Sequence, residues 1–195
     1  MSNNPKIILA SSSVYRQALL RRLQLEFDCI SPNIDETPHP GELPEQLVTR
    51  LATSKALQIA KTQPDSLIIG SDQVASLGSR LLGKPGNREN AVKQLQLMRG
   101  KTVLFITGLC VVNAQSGQSL TDIVIFPVLF RAYTDAEIER YLDKEAPFDC
   151  AGSFKSEQLG ITLIQNMQGD DPTALIGLPL IRLSEMLRQM HLQLP

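Results

Sequence analysis

Lys6-Ile7-Ile8-Leu9-Ala10-Ser11-Ser12-Ser13-Val14-Tyr15-Arg16 reads as a strand handed directly to a helix. The compact apolar run Ile7 to Ala10, ended by a polar turn, has the pattern of a short buried strand. Ser11, Ser12 and Ser13 are N-cap candidates for a helix over about residues 14–23. Four prolines (Pro32, Pro38, Pro40 and Pro44) crowd residues 31–44, which reads as a loop, and a long helix is expected from about Pro44 to Thr62. Ser66-Leu67-Ile68-Ile69-Gly70 repeats the opening theme, a buried strand ended by the polar Ser71-Asp72-Gln73. After the Gly83-Lys84-Pro85-Gly86 turn, Asn87 can cap a helix from Arg88 to Met98. Two β-rich segments, about 102–113 and 119–131, are joined by Gln115-Ser116-Gly117-Gln118, a hairpin spacing. Thr134-Asp135-Ala136-Glu137 matches a capping box for a helix to about Lys144. Residues 160–167 read as a strand, and a last amphipathic helix starts near Pro179. The order β-α-α-β-α-β-β-α-β-α predicts an α/β fold, one domain over residues 1–195. Helices flank a central sheet that the hairpin makes mixed.

Composition narrows the function classes. The 195 residues carry 19 Lys and Arg against 20 Asp and Glu, a formal net charge of −1. That balance argues against a protein that coats nucleic acid, yet leaves room for a small anionic substrate met by a few local cations. Hydrophobic residues at 43% and charged residues at 20% are ordinary for a folded chain. No apolar stretch approaches the roughly 18 residues needed to span a bilayer. The N-terminus has no secretory apolar run, so a cytoplasmic location is expected. Cys29, Cys110 and Cys150 form no CxxC pair and lie far from His39 and His191. They are expected to be small buried hydrophobes and neither a zinc site nor a disulfide framework.

Several residues carry chemistry. A strand that ends in serines and opens a helix offers free backbone N–H groups and a positive dipole end, and Arg16 could reach phosphate oxygens from its first turn. The plainer alternative is a capped helix with a solvated arginine. Lys55 falls on the apolar stripe of Val48, Leu51, Ala52, Ala56 and Ile59. A lysine there must snorkel, pair with an acid or line a cleft. If it serves only phosphate binding, Lys55→Met should lose activity and stay at least as stable. Asp72, with Gln73 beside it, is expected just past an apolar strand, where a carboxylate can hold a metal or act as a general base. Glu36 adds a carboxylate on a proline-stiffened loop, and Lys84 a cation on a rigid turn. The set fits a phosphate–metal site. The chain lacks G-x-x-x-x-G-K-[ST], G-x-G-x-x-G and G-x-S-x-G. Those absences weigh against P-loop, dinucleotide-binding and α/β-hydrolase readings.

Ile7-Ile8-Leu9-Ala10-Ser11-Ser12-Ser13-x-x-Arg16 resembles the N-terminal signature of the Maf-like nucleotide pyrophosphatases. The likeness continues through Asp35-Glu36, Arg50-Leu51-Ala52-x-x-Lys55-Ala56, Gly70-x-Asp72, Gly83-Lys84-Pro85, Thr107-Gly108, Ala151-Gly152 and Gly177-Leu178-Pro179-Leu180. Each piece is short, but the ordered set covers nearly the whole chain. The resemblance implies two lobes with a cleft between them, as in ITPase-like folds, and a homodimer. It implies hydrolysis of nucleoside triphosphates to monophosphate and pyrophosphate with a divalent cation, Mg²⁺ or Mn²⁺. Carried over, Asp72 is the general base, Ser11, Arg16, Lys55 and Lys84 bind phosphate, and Glu36 joins Asp72 at the metal. Gly70-Ser71-Asp72-Gln73 and Cys150-Ala151-Gly152-Ser153-Phe154-Lys155-Ser156-Glu157 look like the branch that hydrolyses 7-methyl-GTP. In that reading Tyr15 stacks on the cationic base, Glu157 accepts from its N–H edge and Gln73 contributes to the substrate site. A dTTP/UTP pyrophosphatase and a nucleotide-binding regulator of cell division are the alternatives.

Overall fold

The computed structural model describes residues 5–195. In chain order the strands are β1 (Lys6–Leu9), β2 (Asp28–Cys29), β3 (Ser66–Leu77), β4 (Arg80–Leu82), β5 (Thr102–Asn113), β6 (Ser119–Phe130) and β7 (Ile164–Met167). The helices are α1 (Val14–Arg21), α2 (Pro44–Ala60), α3 (Arg88–Met98), α4 (Asp135–Glu145) and α5 (Leu180–Gln189). The sheet runs β2-β1-β3-β5-β6-β7, with β4 paired to β3. β1 is parallel to β2 and β3, whereas β5, β6 and β7 pair antiparallel, so the sheet is mixed as expected.

The helix starts follow from their caps. The Ser13 hydroxyl accepts from the Arg16 N–H, Asn87 from Asn90, and Thr134 and Glu137 close the capping box of α4. Pro179 is itself the N-cap of α5, one position before the first helical turn where it was expected.

Alternation along β3 explains the layering. Leu67 and Ile69 face one side and join Leu19 and Leu20 of α1 and Leu183, Met186 and Leu187 of α5. Ile68 faces the other and joins Ala52, Ala56 and Ile59 of α2. A separate aromatic core lies toward β6, α3 and α4, where Phe154 packs 5.6 Å from Phe105 and 5.0 Å from Phe130. β3 reaches both regions, because Ala75 belongs to the aromatic core. Two lobes share one sheet, and a cleft opens where β3 passes between them.

Four local expectations differ from the structure. β3 does not end at Gly70 but continues through Asp72 to Leu77, so Asp72 is a mid-strand residue. Ser71, Asp72 and Gln73 look like a strand end because they are polar; Asp72 and Gln73 are polar where the strand crosses the cleft, and the buried Ser71 hydroxyl bonds neighbouring backbone. Residues 159–163 form a 3-10 turn, leaving only Ile164–Met167 as strand. The short strands β2 and β4 carry too few residues to show a pattern. Of the cysteines only Cys110 is buried; Cys29 is exposed and Cys150 half-buried.

Candidate active site

Helix α2 lies on bare backbone. A Cβ at Gly70 would sit 2.1 Å from the Ala52 carbonyl oxygen, and one at Gly108 2.3 Å from that of Val48. Asp72 pairs with Gly108 across β3 and β5. The absence of side chains at these two positions lets the helix descend until Lys55 meets Asp72. The Lys55 ammonium lies 2.6 Å from Asp72 Oδ1 and 2.8 Å from Glu36 Oε1. Lys55 is 5% exposed and Asp72 7%, so the lysine does not snorkel; it is a buried cation shared by two carboxylates. Asp72 Oδ2 has no hydrogen-bond partner among the described residues.

The opposite face of β3 builds the other wall. Ser71 donates to the carbonyl oxygens of Gly108 (3.0 Å) and Gly177 (2.9 Å), and Arg16 Nε also donates to Gly177 (2.9 Å). This leaves the terminal amino groups of Arg16 unpaired among the described residues. Burial lowers the pKa of Arg16, while Asp72 and Glu36 pull it upward. Ser11 Oγ accepts from the Ser13 N–H at 3.1 Å, so its own proton stays available. The amide of Gln73 donates to Ala174 (2.6 Å), Leu175 (3.2 Å) and the Thr107 hydroxyl (3.1 Å). Its observed work is to hold the 172–176 turn against the sheet.

A cleft of about 720 Å³ contains all the residues singled out in the sequence: Ser11, Tyr15, Arg16, Glu36, Lys55, Asp72, Gln73, Lys84 and Glu157. Lys84 and Glu157 are exposed at its edge. The Tyr15 hydroxyl donates to Asp149 Oδ2 at 3.3 Å, and the Lys155 ammonium lies 5.7 Å from the Tyr15 ring centre. Burial pushes the Tyr15 hydroxyl up to about 12 despite a lowering contact with Lys155. Burial, aided by Asp149, also pushes the Cys150 thiol up to about 12, which leaves it unsuited as a nucleophile near neutral pH.

Sequence reading attached no role to the residues that brace this site. Arg50 grips Glu42 through Nε and a terminal nitrogen (2.6 and 2.8 Å) and donates to the Thr37 carbonyl oxygen at 3.1 Å. The loop that carries Glu36 is thereby tied to α2, one turn before Lys55. The pairing cannot be read from the motif, because the residues lie in a loop and a helix with no common period. Across the cleft, Gln94 donates to the Gly83 carbonyl oxygen at 3.1 Å and accepts from Ser153 Oγ at 2.6 Å. One amide thus joins the Lys84 turn to the loop of Lys155 and Glu157.

The Arg50–Glu42 pair has a pH signature. The Arg50 hydrogen bonds hold the Glu42 carboxyl at about 2, below its usual range. A carboxyl whose folded pKa is depressed stabilises the fold above its unfolded pKa, about 4.3, and that stabilisation is lost as pH falls through the folded value. Wild type should therefore melt above Glu42→Gln at pH 5–7, and the gap should close as pH falls from about 4.3 toward 2. A gap that persists unchanged at pH 2 would sink this assignment.

Among the described residues no group of three or more His, Cys, Asp and Glu could hold a metal ion. The cleft instead offers a carboxylate pair, Glu36 and Asp72. That donor set suits Mg²⁺-like cations, which take one or two carboxylates and complete their shell with phosphate oxygens and water.

The cleft of this α/β protein holds two carboxylates that share a buried lysine, with Arg16 and Lys84 also in its lining, a charge pattern that suits an anionic ligand. Residues 6–190 match the family described as Maf-like protein, and the chain belongs to that family. Relatives named 7-methyl-GTP pyrophosphatase include that of Methylobacillus flagellatus, 58% identical over 94% of this chain and 95% of its own length. Those of Nitrosococcus oceani and Aromatoleum aromaticum are each 55% identical, over 95% and 97% of this chain and 93% and 98% of their own. A HAM1 protein from Coxiella burnetii has a solved structure that overlaps 67% of this chain and 75% of its own. Its TM-score is 0.48, with 19% identity.

Proposed function

We propose that this protein is a nucleoside triphosphate pyrophosphatase that hydrolyses 7-methyl-GTP to 7-methyl-GMP and pyrophosphate. The observation that carries the reading is Lys55 held between Glu36 and Asp72 inside the cleft, with Arg16 and Lys84 at hand. The name shared by relatives more than half identical over nearly their full length supports the same substrate.

In this reading Asp72 takes the proton of a water that adds across the anhydride between the α- and β-phosphates, and pyrophosphate leaves. Lys55 fixes one oxygen of that carboxylate and leaves the other to accept the proton. Arg16, Lys84, the Ser11 hydroxyl and the turn before α1 hold the phosphate oxygens. Glu36 and Asp72 would hold a divalent cation, Mg²⁺ or Mn²⁺, which when bound offsets phosphate charge. Tyr15 and Glu157 face the base. No helix among the described residues is long and apolar enough to cross a membrane. The reading places the enzyme with the cytoplasmic nucleotide pool, as the homodimer that the resemblance implies.

Pyrophosphate release from 7-methyl-GTP, GTP, UTP and dTTP, with and without Mg²⁺, tests it. The highest kcat/KM is expected on 7-methyl-GTP, with turnover dependent on the metal. A higher value on UTP or dTTP would move the chain to the pyrimidine branch. Saturable binding without turnover would make it a regulator.

A further inference from the structure

Asp149 has no part in the phosphate chemistry, yet it lies in the same cleft beside Tyr15. Its carboxylate accepts from the Tyr15 hydroxyl at 3.3 and 3.5 Å and from the Cys150 thiol at 3.5 Å. The side chain is exposed and forms no ion pair among the described residues. The nearby Lys155 is differently placed: its ammonium lies 3.7 Å from Glu145 Oε1, with the two side chains only 12% and 8% exposed. Lys155 therefore has its own counter-ion, and the formal charge of Asp149 is left unbalanced. Glu157 adds a second exposed carboxylate to the lining of the cleft. The cleft wall beside Tyr15 is thus polarised by a carboxylate that has no ion-pair partner among the described residues.

A neutral purine gains little from that polarity, but a ring with a fixed positive charge gains directly. The lysine near the Tyr15 ring also weakens a purely cation–π account, because a cationic base would approach a face already near an ammonium. We propose that Asp149 is a specificity-determining residue: its carboxylate, positioned by the Tyr15 hydroxyl, supplies the charge that favours a cationic purine over its neutral counterpart. The proposal rests on the functional reading above and names the group that reads the methylation.

Asp149→Asn keeps an oxygen that can accept from Tyr15 and removes only the charge. The ratio of kcat/KM for 7-methyl-GTP to that for GTP should fall about two- to fivefold, the range of an exposed charge pair. In wild type that ratio should decline as salt rises, and in the variant the decline should be shallower, because only the charge of Glu157 is then left to be screened. Asp149→Glu should recover part of the preference. Wild-type preference with an unchanged ratio in Asp149→Asn, or the same salt slope in both proteins, overturns the role of Asp149 alone. A wild type with no preference for 7-methyl-GTP over GTP overturns the functional reading and this inference with it.

Discussion

Asp72→Asn should fold as the wild type does and lose about 10²–10⁴-fold in kcat, the usual span for removal of a general base. Asparagine has the same size and keeps an oxygen that can accept the Lys55 hydrogen bond now 2.6 Å long. Lys55 also keeps Glu36 as a counter-ion, so no cation is stranded in the interior. What disappears is the ability to take a proton from water. Steady-state pyrophosphate release at saturating Mg²⁺, with thermal melting alongside, provides the check. Residual activity above about a tenth of wild type would remove Asp72 from the base role, since the loss would fall below the range for that role.

Lys55→Met should reduce kcat on the order of 10²–10³-fold, because the carboxylate that takes the proton loses the ammonium that fixes one of its oxygens. Methionine suits an apolar stripe, which is why sequence alone predicts no loss of stability. The structure reverses that expectation. Asp72 is 7% exposed and Lys55 is its ion-pair partner, so the substitution strands a carboxylate that the fold cannot hydrate fully. A stability loss of about 1–3 kcal/mol follows, softened because the group borders the cleft. The double variant Lys55→Met/Asp72→Asn should regain most of that stability and remain inactive. Urea denaturation of the four proteins separates the two effects. A single variant as stable and as active as wild type would reduce Lys55 to a packing residue.

The parts of the fold legible in the sequence are those in which local chemistry and tertiary context agree. The Ile7–Ala10 run, the Ser13, Asn87 and Thr134 caps and the 102–131 hairpin can be read because each carries its own signal within a few residues. Reading fails where a residue answers to the cleft and not to its own element. Ser71, Asp72 and Gln73 stop the apolar pattern of β3 without stopping the strand. The site shows the same division. Arg16, Lys55 and Asp72 stand out because each is out of place locally, a cation on a helix start or an apolar stripe, an acid after an apolar run. Asp149, Gln94 and the Arg50–Glu42 grip do not, since a polar residue on a loop or a helix surface is unremarkable until its partner, up to 134 residues away in the case of Tyr15 and Asp149, is known.

The two ends of the cleft are held by different kinds of attachment. Lys55 is set against Asp72 by a helix lying on glycine backbone, with no side chain in between to reshape. The loop that bears Lys155 and Glu157 is tied to the Lys84 turn by the Gln94 side chain, together with a backbone contact from Gly152 to Gly83. In a diverging lineage these attachments impose unequal constraints. On the proposed assignment, exchange of residues on the 149–157 loop redraws the choice of base one side chain at a time. Any enlargement at Gly70 or Gly108 lifts the helix and separates Lys55 from Asp72 at once. On that assignment substrate preference is free to drift among descendants of this scaffold, while its bond-breaking centre is inherited whole or lost.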